Sequence, residues 1–263
     1  MLNSSNFFIK SLTHGKLRIS FRNNQRKALA HRGGGHKRNH VLVDYVQPIW
    51  HLKGFVISLV YDPNRAARLA CVSYSNGVVS YVLAPLGVYP GTILYSGYNA
   101  EFTPGSRFYL WQLPLGSRVF NVELKAGAGG LVARAAGVFS TIIRKTHNFI
   151  VLKLPSKELK IFPLSALATI GQVNSSSNQF INLRKAGAVR WLGRRPVVRG
   201  VAKNPVDHPH GGGEGKTSGG RPSVTPWGKI TKGQPTRSKK KLSTKTILRF
   251  RNGLTNTKSY VYK

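Results

Sequence analysis

Acidic residues are scarce in this chain. Of its 263 residues only 7 are Asp or Glu, against 41 Lys and Arg, which gives a formal net charge of +34. No acid precedes Asp44. A solubilising surface mixes both signs of charge, whereas an excess of one sign repels itself unless a polyanion neutralises it. The composition therefore predicts a partner with many negative charges.

Cysteine and long apolar runs are also nearly absent. Cys71 is the only cysteine, which excludes an intramolecular disulfide and a cysteine-based zinc site. No stretch approaches the ~20 consecutive apolar residues that a membrane-spanning helix needs. The longest basic segments hold too many Gly and Pro for an interfacial helix. RNA or DNA is therefore a better candidate polyanion than an anionic membrane.

The first ten residues, Met1–Lys10, contain serine and lysine but no acid, which is the character of an organellar transit peptide. We expect this segment to be retained rather than removed as a presequence. It would then be an uncleaved basic arm, or belong to a protein made inside an organelle. Residues 1–40 as a whole carry 9 Lys and Arg with little hydrophobic periodicity, and we interpret them as an extended basic N-terminal arm.

The sequence pattern of residues 41–113 is typical of a small β-barrel. Short apolar runs separated by turn residues indicate strands at 41–46, 55–61, 69–74, 78–83, 92–96 and 108–113. Asn76-Gly77 predicts a hairpin with a type I′ turn, because both central residues of that turn need positive φ. Five or six strands in about 75 residues are typical of an OB-fold barrel.

Residues 114–192 predict a second barrel, SH3-like in scale. Its candidate strands are 119–124, 138–144, 149–154, 159–162 and 168–173, with a glycine-rich loop at 125–130 and one short helix within 183–192. The segment 193–241 carries many Gly and Pro residues and no sustained strand pattern, and beyond it only 247–250 favours a further element. We expect this basic tail to be ordered only when bound. The predicted fold class is thus all-β: an OB-fold barrel, then an SH3-like barrel, with extended basic N- and C-terminal segments.

The segment 203–217, KNPVDHPHGGGEGKT, allows three enzymatic interpretations, each of which lacks a necessary feature. A P-loop ending at Lys216 needs glycine at position 210, which is His210, and Pro205 and Pro209 interrupt the approach. An esterase oxyanion loop at 210–213 needs a G-x-S-x-G elbow, which is absent from the chain. For metal binding, two histidines two residues apart, without cysteine and with only Asp207 and Glu214 close by, are only a weak signal.

The remaining interpretation of residues 203–217 is a glycine-rich loop that binds RNA. Adjacent glycines let backbone N–H groups approach phosphates, and His208 and His210 can stack on bases or hydrogen-bond to them. Asp207 and Glu214 would be costly beside phosphate, so we expect them to hold the shape of the loop.

Three other segments favour nucleic-acid contact. Residues 31–38 (HRGGGHKR) surround glycines with cations and imidazoles, although a flexible linker is the alternative. Trp191 accompanies Arg194, Arg195 and Arg199, whose guanidinium groups suit phosphates and bases; Trp191 itself is either core or a stacking surface. Residues 237–241 (RSKKK) form a basic run that would serve as a localisation signal or as a phosphate contact.

These residues resemble a known family. The run 203–215 (KNPVDHPHGGGEG), followed by 225–228 (TPWG) and 231–233 (TKG), is similar to the signature of the second universal protein of the large ribosomal subunit, the L-two family. The resemblance extends to 190–200, 131–137, 61–65 and 32–37 and covers roughly residues 30–250 in order.

The resemblance implies an OB-fold, an SH3-like barrel and an extended tail. It also implies binding to large-subunit ribosomal RNA near the peptidyl-transferase centre and the subunit interface, with roles in RNA folding, subunit association and translation. Neighbouring ribosomal proteins and the small subunit are expected partners. No enzyme activity, catalytic residue, protein-bound metal, small-molecule substrate or cofactor is expected, other than Mg²⁺ shared with the RNA.

The catalyst of peptidyl transfer is RNA, so His208 is expected to position RNA; a general-base role is a hypothesis motivated only by its near-neutral pKa. The residues expected to contact RNA are Arg32, Gly33, Gly34, Gly35, His36, Lys37, Arg38, Arg65, Arg134, Lys185, Arg190, Trp191, Arg194, Arg195, Arg199, Lys203, Asn204, Asp207, His208, His210, Gly211, Gly212, Gly213, Lys216, Arg221, Trp227, Lys232, Arg237, Lys239, Lys240 and Lys241.

Two departures from the family pattern stand out. The arm is shorter than in bacterial relatives and diverges before His31, and residues 47–52 (QPIWHL) are apolar where relatives carry basic residues, so this segment would face another protein. The divergent N-terminus favours an organellar ribosome, in the mitochondrial matrix more than in a plastid. Competing functions are an architectural DNA-binding protein, which competition with duplex DNA would separate, and a hydrolase or NTPase, which a turnover assay would separate.

Overall fold

The structure is a computed structural model that describes residues 9–16, 22–23, 26–27, 31–47, 52–97, 101–238, 240–257 and 259. The predictions for residues 1–8, for 48–51 of the apolar segment and for Lys239 lie outside these ranges. The chain forms two compact units. Unit 1 comprises residues 1–17, 37–182 and 242–263, and unit 2 comprises 18–36 and 183–241.

The N-terminal barrel of unit 1 is built on a four-stranded antiparallel sheet with the order β7-β6-β5-β8. A two-stranded pair, β1-β4, accompanies it, and the parallel bridge between Val43 and Tyr81 places the chain after β4 alongside β7. The strands are β1 (Thr13–Lys16), β4 (Arg38–Val41), β5 (Gly54–Val60), β6 (Leu69–Tyr74), β7 (Val79–Leu83) and β8 (Ile93–Leu94). A further pair, β2 (Arg22–Asn23) with β3 (Arg26–Lys27), belongs to unit 2.

The second barrel of unit 1 is a seven-stranded sheet with the order β17-β15-β14-β13-β10-β16-β9, accompanied by the pair β11-β12. Its strands are β9 (Arg107–Tyr109), β10 (Arg118–Phe120), β11 (Val122–Glu123), β12 (Gly130–Val132), β13 (Ser140–Lys145), β14 (Phe149–Lys153), β15 (Leu159–Pro163), β16 (Leu167–Ile170) and β17 (Ile247–Arg249). Short 3₁₀ turns lie at Lys10–Leu12, Leu110–Gln112, Ser176–Phe180, Gly200–Ala202 and Leu242–Thr244.

Apolar side chains from alternating strand positions fill the interior of each barrel. The N-terminal barrel has two clusters, represented by Leu69 and Tyr81 in the first and by Val72 in the second. The second barrel has a cluster that includes Phe108 and Ile150. The architecture is therefore all-β, an OB-fold barrel followed by an SH3-like barrel, as the sequence predicted.

Several local expectations need correction. The strand expected at 108–113 in the first barrel pairs with β16 of the second sheet. The strand expected at 119–124 is broken at Asn121, which has a φ of +50°. The strand expected at 41–46 is reduced to the end of β4 at Val41 and an isolated bridge at Val43. After it the carboxylate of Asp44 accepts the Val46 and Gln47 N–H groups and turns the chain.

The hairpin predicted at Asn76-Gly77 is present, but its turn is not type I′. Only Gly77 has a positive φ, of +82°, and the side chain of Asn76 instead accepts the Val78 N–H. The helix expected within 183–192 is confined to α1 (Ala186–Trp191), because Arg184 is left-handed at φ +56° and Lys185 is extended. Across the described ranges, the structure holds no helix of the length and apolarity that crossing a membrane requires.

Candidate nucleic-acid interface

The segment 203–217, here called the tail loop, is folded back on itself by backbone hydrogen bonds. The His208 N–H donates to the Asn204 carbonyl at 3.3 Å, the Gly211 N–H to the His208 carbonyl at 2.8 Å, and the Gly212 N–H to the Lys203 carbonyl at 3.1 Å. The chain therefore makes two tight turns within ten residues, and its middle carries three consecutive glycines.

Glycine is required in this loop for reasons of space. A Cβ at Gly211 would overlap the carbonyl oxygens of Asn204 and Lys203, which belong to backbone and cannot move aside cheaply. A Cβ at Gly212 would lie 2.5 Å from Cγ of Pro205, and Gly212 also has a φ of +92°. These two glycines therefore allow one part of the loop to pack against another. A partner can reach only the part of the loop surface that faces away from these contacts.

His208 lies inside this fold with a defined tautomer. The residue is only 9% exposed, and its ring covers Gly200, where a Cβ would lie 2.5 Å from the Cε1 atom of His208. The backbone N–H of His210 donates to Nδ1 of His208 at 3.0 Å, so Nδ1 carries a lone pair and the proton of the neutral ring is on Nε2. Burial, the neighbouring His210 and the Lys203 ammonium lower the pKa of His208, in the order given.

This tautomer bears on the general-base hypothesis for His208. A general base needs an unshared ring lone pair at its target, whereas the Nδ1 lone pair already accepts a backbone N–H. The remaining nitrogen, Nε2, presents an N–H donor. Neutral His208 in this loop is therefore arranged to donate a hydrogen bond to an acceptor, such as a phosphate or base oxygen, and not to remove a proton.

His210 joins three segments of the tail. Its Nε2 accepts the Val224 N–H at 3.0 Å, so the proton of the ring is on Nδ1, which donates to the Gly219 carbonyl at 2.9 Å. The ring also stacks on His208, with 5.2 Å between centroids. One neutral imidazole thus fixes residues 208, 219 and 224 relative to each other, a structural role that the sequence did not reveal.

A small hairpin follows, in which Val224 and Ile230 form an antiparallel bridge. The Thr225 N–H donates to the Lys229 carbonyl at 2.8 Å and the Gly228 N–H to the Thr225 carbonyl at 2.9 Å. Trp227 sits at the tip and is 76% exposed. An indole displayed at the tip of a hydrogen-bonded turn is a surface on which a base can stack.

The expectation that Asp207 and Glu214 hold the loop's shape is wrong. Both are exposed, and neither carboxylate has a hydrogen-bond or ion-pair partner among the described residues. Backbone carbonyls, glycines and the two imidazoles fix the loop instead. The two carboxylates are free to meet base donors or cations of a partner.

Residues 31–36, here called the arm loop, are paired rather than linker-like. The Gly33 N–H donates to the Gly193 carbonyl at 3.1 Å, and the Arg195 N–H to the His31 carbonyl at 2.9 Å. Gly33, Gly34 and Gly35 all have positive φ, and a Cβ at Gly35 would lie 2.9 Å from the Trp191 carbonyl oxygen. The arm loop and residues 193–196 therefore form one cationic ribbon within unit 2.

Trp191, for which the sequence allowed either a core or a surface position, is 67% exposed at the end of α1. The Lys185 ammonium lies 5.2 Å from its ring centroid. The other tail residues expected to contact RNA are also mostly exposed, namely Arg190, Arg194, Arg195, Arg199, Asn204, Lys216, Arg221, Lys232, Arg237, Lys240 and Lys241.

The residues expected to contact RNA in unit 1 have structural partners. Arg65 forms an ion pair with buried Asp62 at 2.7 Å and a hydrogen bond to the Tyr45 hydroxyl. Arg134 lies over the Tyr45 ring at 4.4 Å. Arg38 donates to the Pro63 carbonyl at 2.6 Å. Their guanidinium groups are thus oriented by the barrel, which leaves only their remaining donors for a ligand.

The buried pair Arg107–Glu123 had no signal in the sequence. The Arg107 guanidinium contacts the Glu123 carboxylate at 3.0 Å, and both side chains are almost fully buried. The same carboxylate accepts the N–H groups of Gly127, Gly129 and Leu167 at 3.1–3.2 Å. Burial lowers the pKa of Arg107, and Glu123 opposes that effect. Glu123 therefore anchors the glycine-rich loop 125–130 to the second sheet.

Metal ligation has no support in the described ranges, which hold no group of three or more His, Cys, Asp or Glu side chains placed to share an ion. His208 and His210 use three of their four ring nitrogens on backbone partners.

Comparison with known proteins identifies the family to which these features belong. Residues 9–96 match the RNA-binding N-terminal domain of ribosomal proteins L2, and residues 103–228 match the L2 C-terminal domain. The chain belongs to the ribosomal protein L2 family. The L2 C-terminal match includes the tail loop and ends at Gly228, so residues 229–263, with β17, lie beyond it.

Curated L2 relatives are similar over most of the chain. The large ribosomal subunit protein uL2m of Reclinomonas americana is 48% identical over 235 residues, covering 89% of this chain and 85% of the relative. The uL2 protein of Parvibaculum lavamentivorans is 45% identical over 245 residues, covering 93% and 88%. The uL2 protein of a Wolbachia from Drosophila simulans is 48% identical over 240 residues, covering 90% and 87%.

Proposed function

We infer that this protein is a structural constituent of the large ribosomal subunit that binds large-subunit ribosomal RNA and supports translation. The observation that carries this inference is the coincidence of L2 membership with a tail loop held by its own hydrogen bonds in a strongly basic unit. Unit 2 contains 20 Lys and Arg but only two acids, Asp207 and Glu214. An RNA backbone supplies the negative charge that such a unit needs.

We propose that the residues predicted from the sequence have different roles in RNA binding. Exposed cations of the arm loop and the tail neutralise phosphates, for which arginine offers bidentate donors. Trp191 and Trp227 stack on unpaired bases. His208 donates its Nε2 proton to an RNA acceptor, and His210 keeps His208 and the hairpin in place. The protein acts by shape and charge and performs no reaction.

A finer placement follows from the resemblance of the tail loop to the family signature. We propose that the loop reaches ribosomal RNA near the peptidyl-transferase centre and the subunit interface, where it supports RNA folding and subunit association. Neighbouring ribosomal proteins and the small subunit are the proposed protein-side partners. Any Mg²⁺ in the interface would be shared with RNA.

The proposed location is an organellar ribosome, in the mitochondrial matrix in preference to a plastid. The similarity to a mitochondrial relative, uL2m of Reclinomonas americana, supports this proposal. The divergent, basic and acid-free N-terminus supports it as well. The proposed division of the chain is an arm at 1–40, an OB-fold at 41–113, an SH3-like barrel at 114–192 and a tail at 193–263, with β9 and β17 added to the sheet of the second barrel.

The test compares purified protein with two polyanions, a transcript of large-subunit ribosomal RNA and duplex DNA of equal length. We expect the protein to prefer the RNA even in excess duplex DNA. We also expect its affinity for the RNA to fall steeply as the salt concentration rises. Equal affinity for both polymers would instead indicate an architectural DNA-binding protein. Turnover of nucleotide or ester substrates by the same preparation would contradict the non-enzymatic assignment.

A further inference from the structure

Two adjoining depressions lie on the second barrel. Each has a volume of about 400 Å³. Lys153 and Lys157 line both of them. The one nearer β17 is also lined by Ile143, Leu159, Arg249, Phe250, Arg251 and Gly253. We call the surface formed by Lys153, Lys157, Leu159, Arg249, Phe250 and Arg251 the lateral groove.

Strand register aligns the cations of the lateral groove. Lys153 of β14 pairs directly with Leu159 of β15, and Leu159 pairs with Arg249 of β17. Directly paired residues project from the same face of a sheet. Because neighbouring strands are about 4.8 Å apart, the backbones of Lys153 and Arg249 are about 10 Å apart across this row.

Two turns bring the remaining cations to the ends of the row. The turn between β14 and β15 is closed by the Lys157 N–H, which donates to the Leu154 carbonyl at 2.8 Å. The turn after β17 is closed by the Gly253 N–H, which donates to the Phe250 carbonyl at 3.0 Å, and the Arg249 Nε donates to the Gly253 carbonyl at 3.0 Å. Lys157 and Arg251 are exposed at these turns.

None of the described residues that line the lateral groove is an acid. Glu158, the acid adjacent to it in sequence, is not among its lining residues. Among the described residues no ion pair involves Lys153, Lys157, Arg249 or Arg251. Four cations without counter-charges lie around a half-buried phenylalanine. Such a surface suits single-stranded nucleic acid, because the cations can bind its phosphates and the aromatic ring can stack on a base.

We propose that the lateral groove is a second RNA-contact site, which takes a single-stranded segment of RNA. The cationic row and the two turns would bind its phosphates, and Phe250 would stack on a base. This inference rests on the proposed function, because it assumes that the protein binds RNA, and it adds a surface built partly from residues beyond the family match, which ends at Gly228. The role of β17 would then be to complete a binding surface as well as a sheet edge.

The test uses the full-length protein and a transcript of large-subunit ribosomal RNA. The double variant Lys157→Gln, Arg251→Gln removes two cations from turns without removing a hydrogen bond that the fold uses. The control, Arg68→Gln, Arg144→Gln, removes two exposed cations of the same unit that do not line the groove. If two single-strand phosphate contacts are lost, the log–log salt slope should become shallower by about 1.4, and binding at 0.1 M salt should weaken by about 25-fold.

A second measurement does not depend on the variants folding. Ultraviolet crosslinking of the wild-type complex should join the peptide 247–253 to unpaired nucleotides of the RNA. The inference is overturned if the wild type binds the transcript but the groove variant and the control behave alike and this peptide carries no RNA. It is also overturned if, in the assembled subunit, the groove crosslinks to protein rather than RNA. Failure of the wild type itself to bind the transcript would overturn the proposed function first.

Discussion

At the scale of single residues, the tail loop depends on two imidazoles with different tasks. The His208 ring lies against Gly200 and keeps one N–H free, whereas His210 uses both ring nitrogens to tie Gly219 to Val224. Both hydrogen-bond patterns require neutral rings. The sequence indicated that histidines beside glycines would meet RNA, but it could not reveal which histidine serves the fold.

The substitution His210→Phe keeps the ring shape and removes both nitrogen contacts. The Val224 N–H and the Gly219 carbonyl then lose their partner, which costs about 1–3 kcal/mol in a buried setting. Amide exchange at Val224 should accelerate by roughly 10–100-fold. The control is His147→Phe at an exposed turn of the second barrel. An unchanged Val224 exchange rate in His210→Phe would show that His210 does not hold the hairpin in place.

Protonation of His208 should loosen the loop. Its folded pKa lies below the ordinary value of 6.5, so the unfolded segment binds a proton at a higher pH than the folded one. The stabilising contribution is therefore complete above pH 6.5 and is lost as the pH falls through the lower folded pKa. Protection of the His210 amide, corrected for intrinsic exchange, should decrease from about pH 7.5 to about pH 5.

The variant His208→Gln provides the comparison for this pH response. It lacks the ring whose Nδ1 accepts this N–H, so the protection of the His210 amide should be lower than in the wild type and should change less with pH over the same interval. Protection of the wild-type amide that increases on acidification would contradict the neutral tautomer.

At the scale of elements, the apolar runs predicted most strands to within a few residues. The strands β5, β6, β7, β14 and β15 follow runs whose alternation is plain in the sequence. The errors fall where a side chain or a positive φ interrupts a run, at Asp44, Asn121 and Arg184. Hydrophobic periodicity indicates which residues can be buried, but it gives no information about the local hydrogen bonds that end a strand or helix.

The loop 125–130 depends on an interaction that periodicity cannot indicate. Glu123 and Arg107 are 16 positions apart and meet only because β9 joins the second sheet. Glu123→Gln leaves the Arg107 guanidinium buried without a counter-charge, which is expected to destabilise the protein by about 3–5 kcal/mol. Chemical denaturation followed by intrinsic fluorescence measures this loss.

Two further variants make that result interpretable. Glu101→Gln, which removes an exposed acid, should change the unfolding free energy by less than about 0.5 kcal/mol. Arg107→Met combined with Glu123→Gln should be less destabilised than Glu123→Gln alone, because no uncompensated cation remains. Equal stability of Glu123→Gln and wild type would show that the pair is not an anchor.

At the scale of the whole molecule, charge and motifs predicted the family and the class of partner, and the apolar runs predicted two β-barrels. The sequence could not predict that residues 31–36 pair with 193–196, or that Ile247–Arg249 completes the second sheet. Both are pairings between segments distant in sequence and weak in local pattern. The lateral groove was missed for the same reason, since its cations gather only through strand register.

The central claim is that this basic, two-barrel protein holds large-subunit ribosomal RNA, with the tail loop as a principal anchor. The most direct test is crosslinking and sequencing of the RNA bound in cell extract, with the large subunit resolved on a density gradient. The expected result is that reads concentrate on large-subunit ribosomal RNA in that fraction, with a changed pattern when residues 203–217 are deleted. Reads scattered over messenger RNA or DNA, with no co-sedimentation, would contradict the claim.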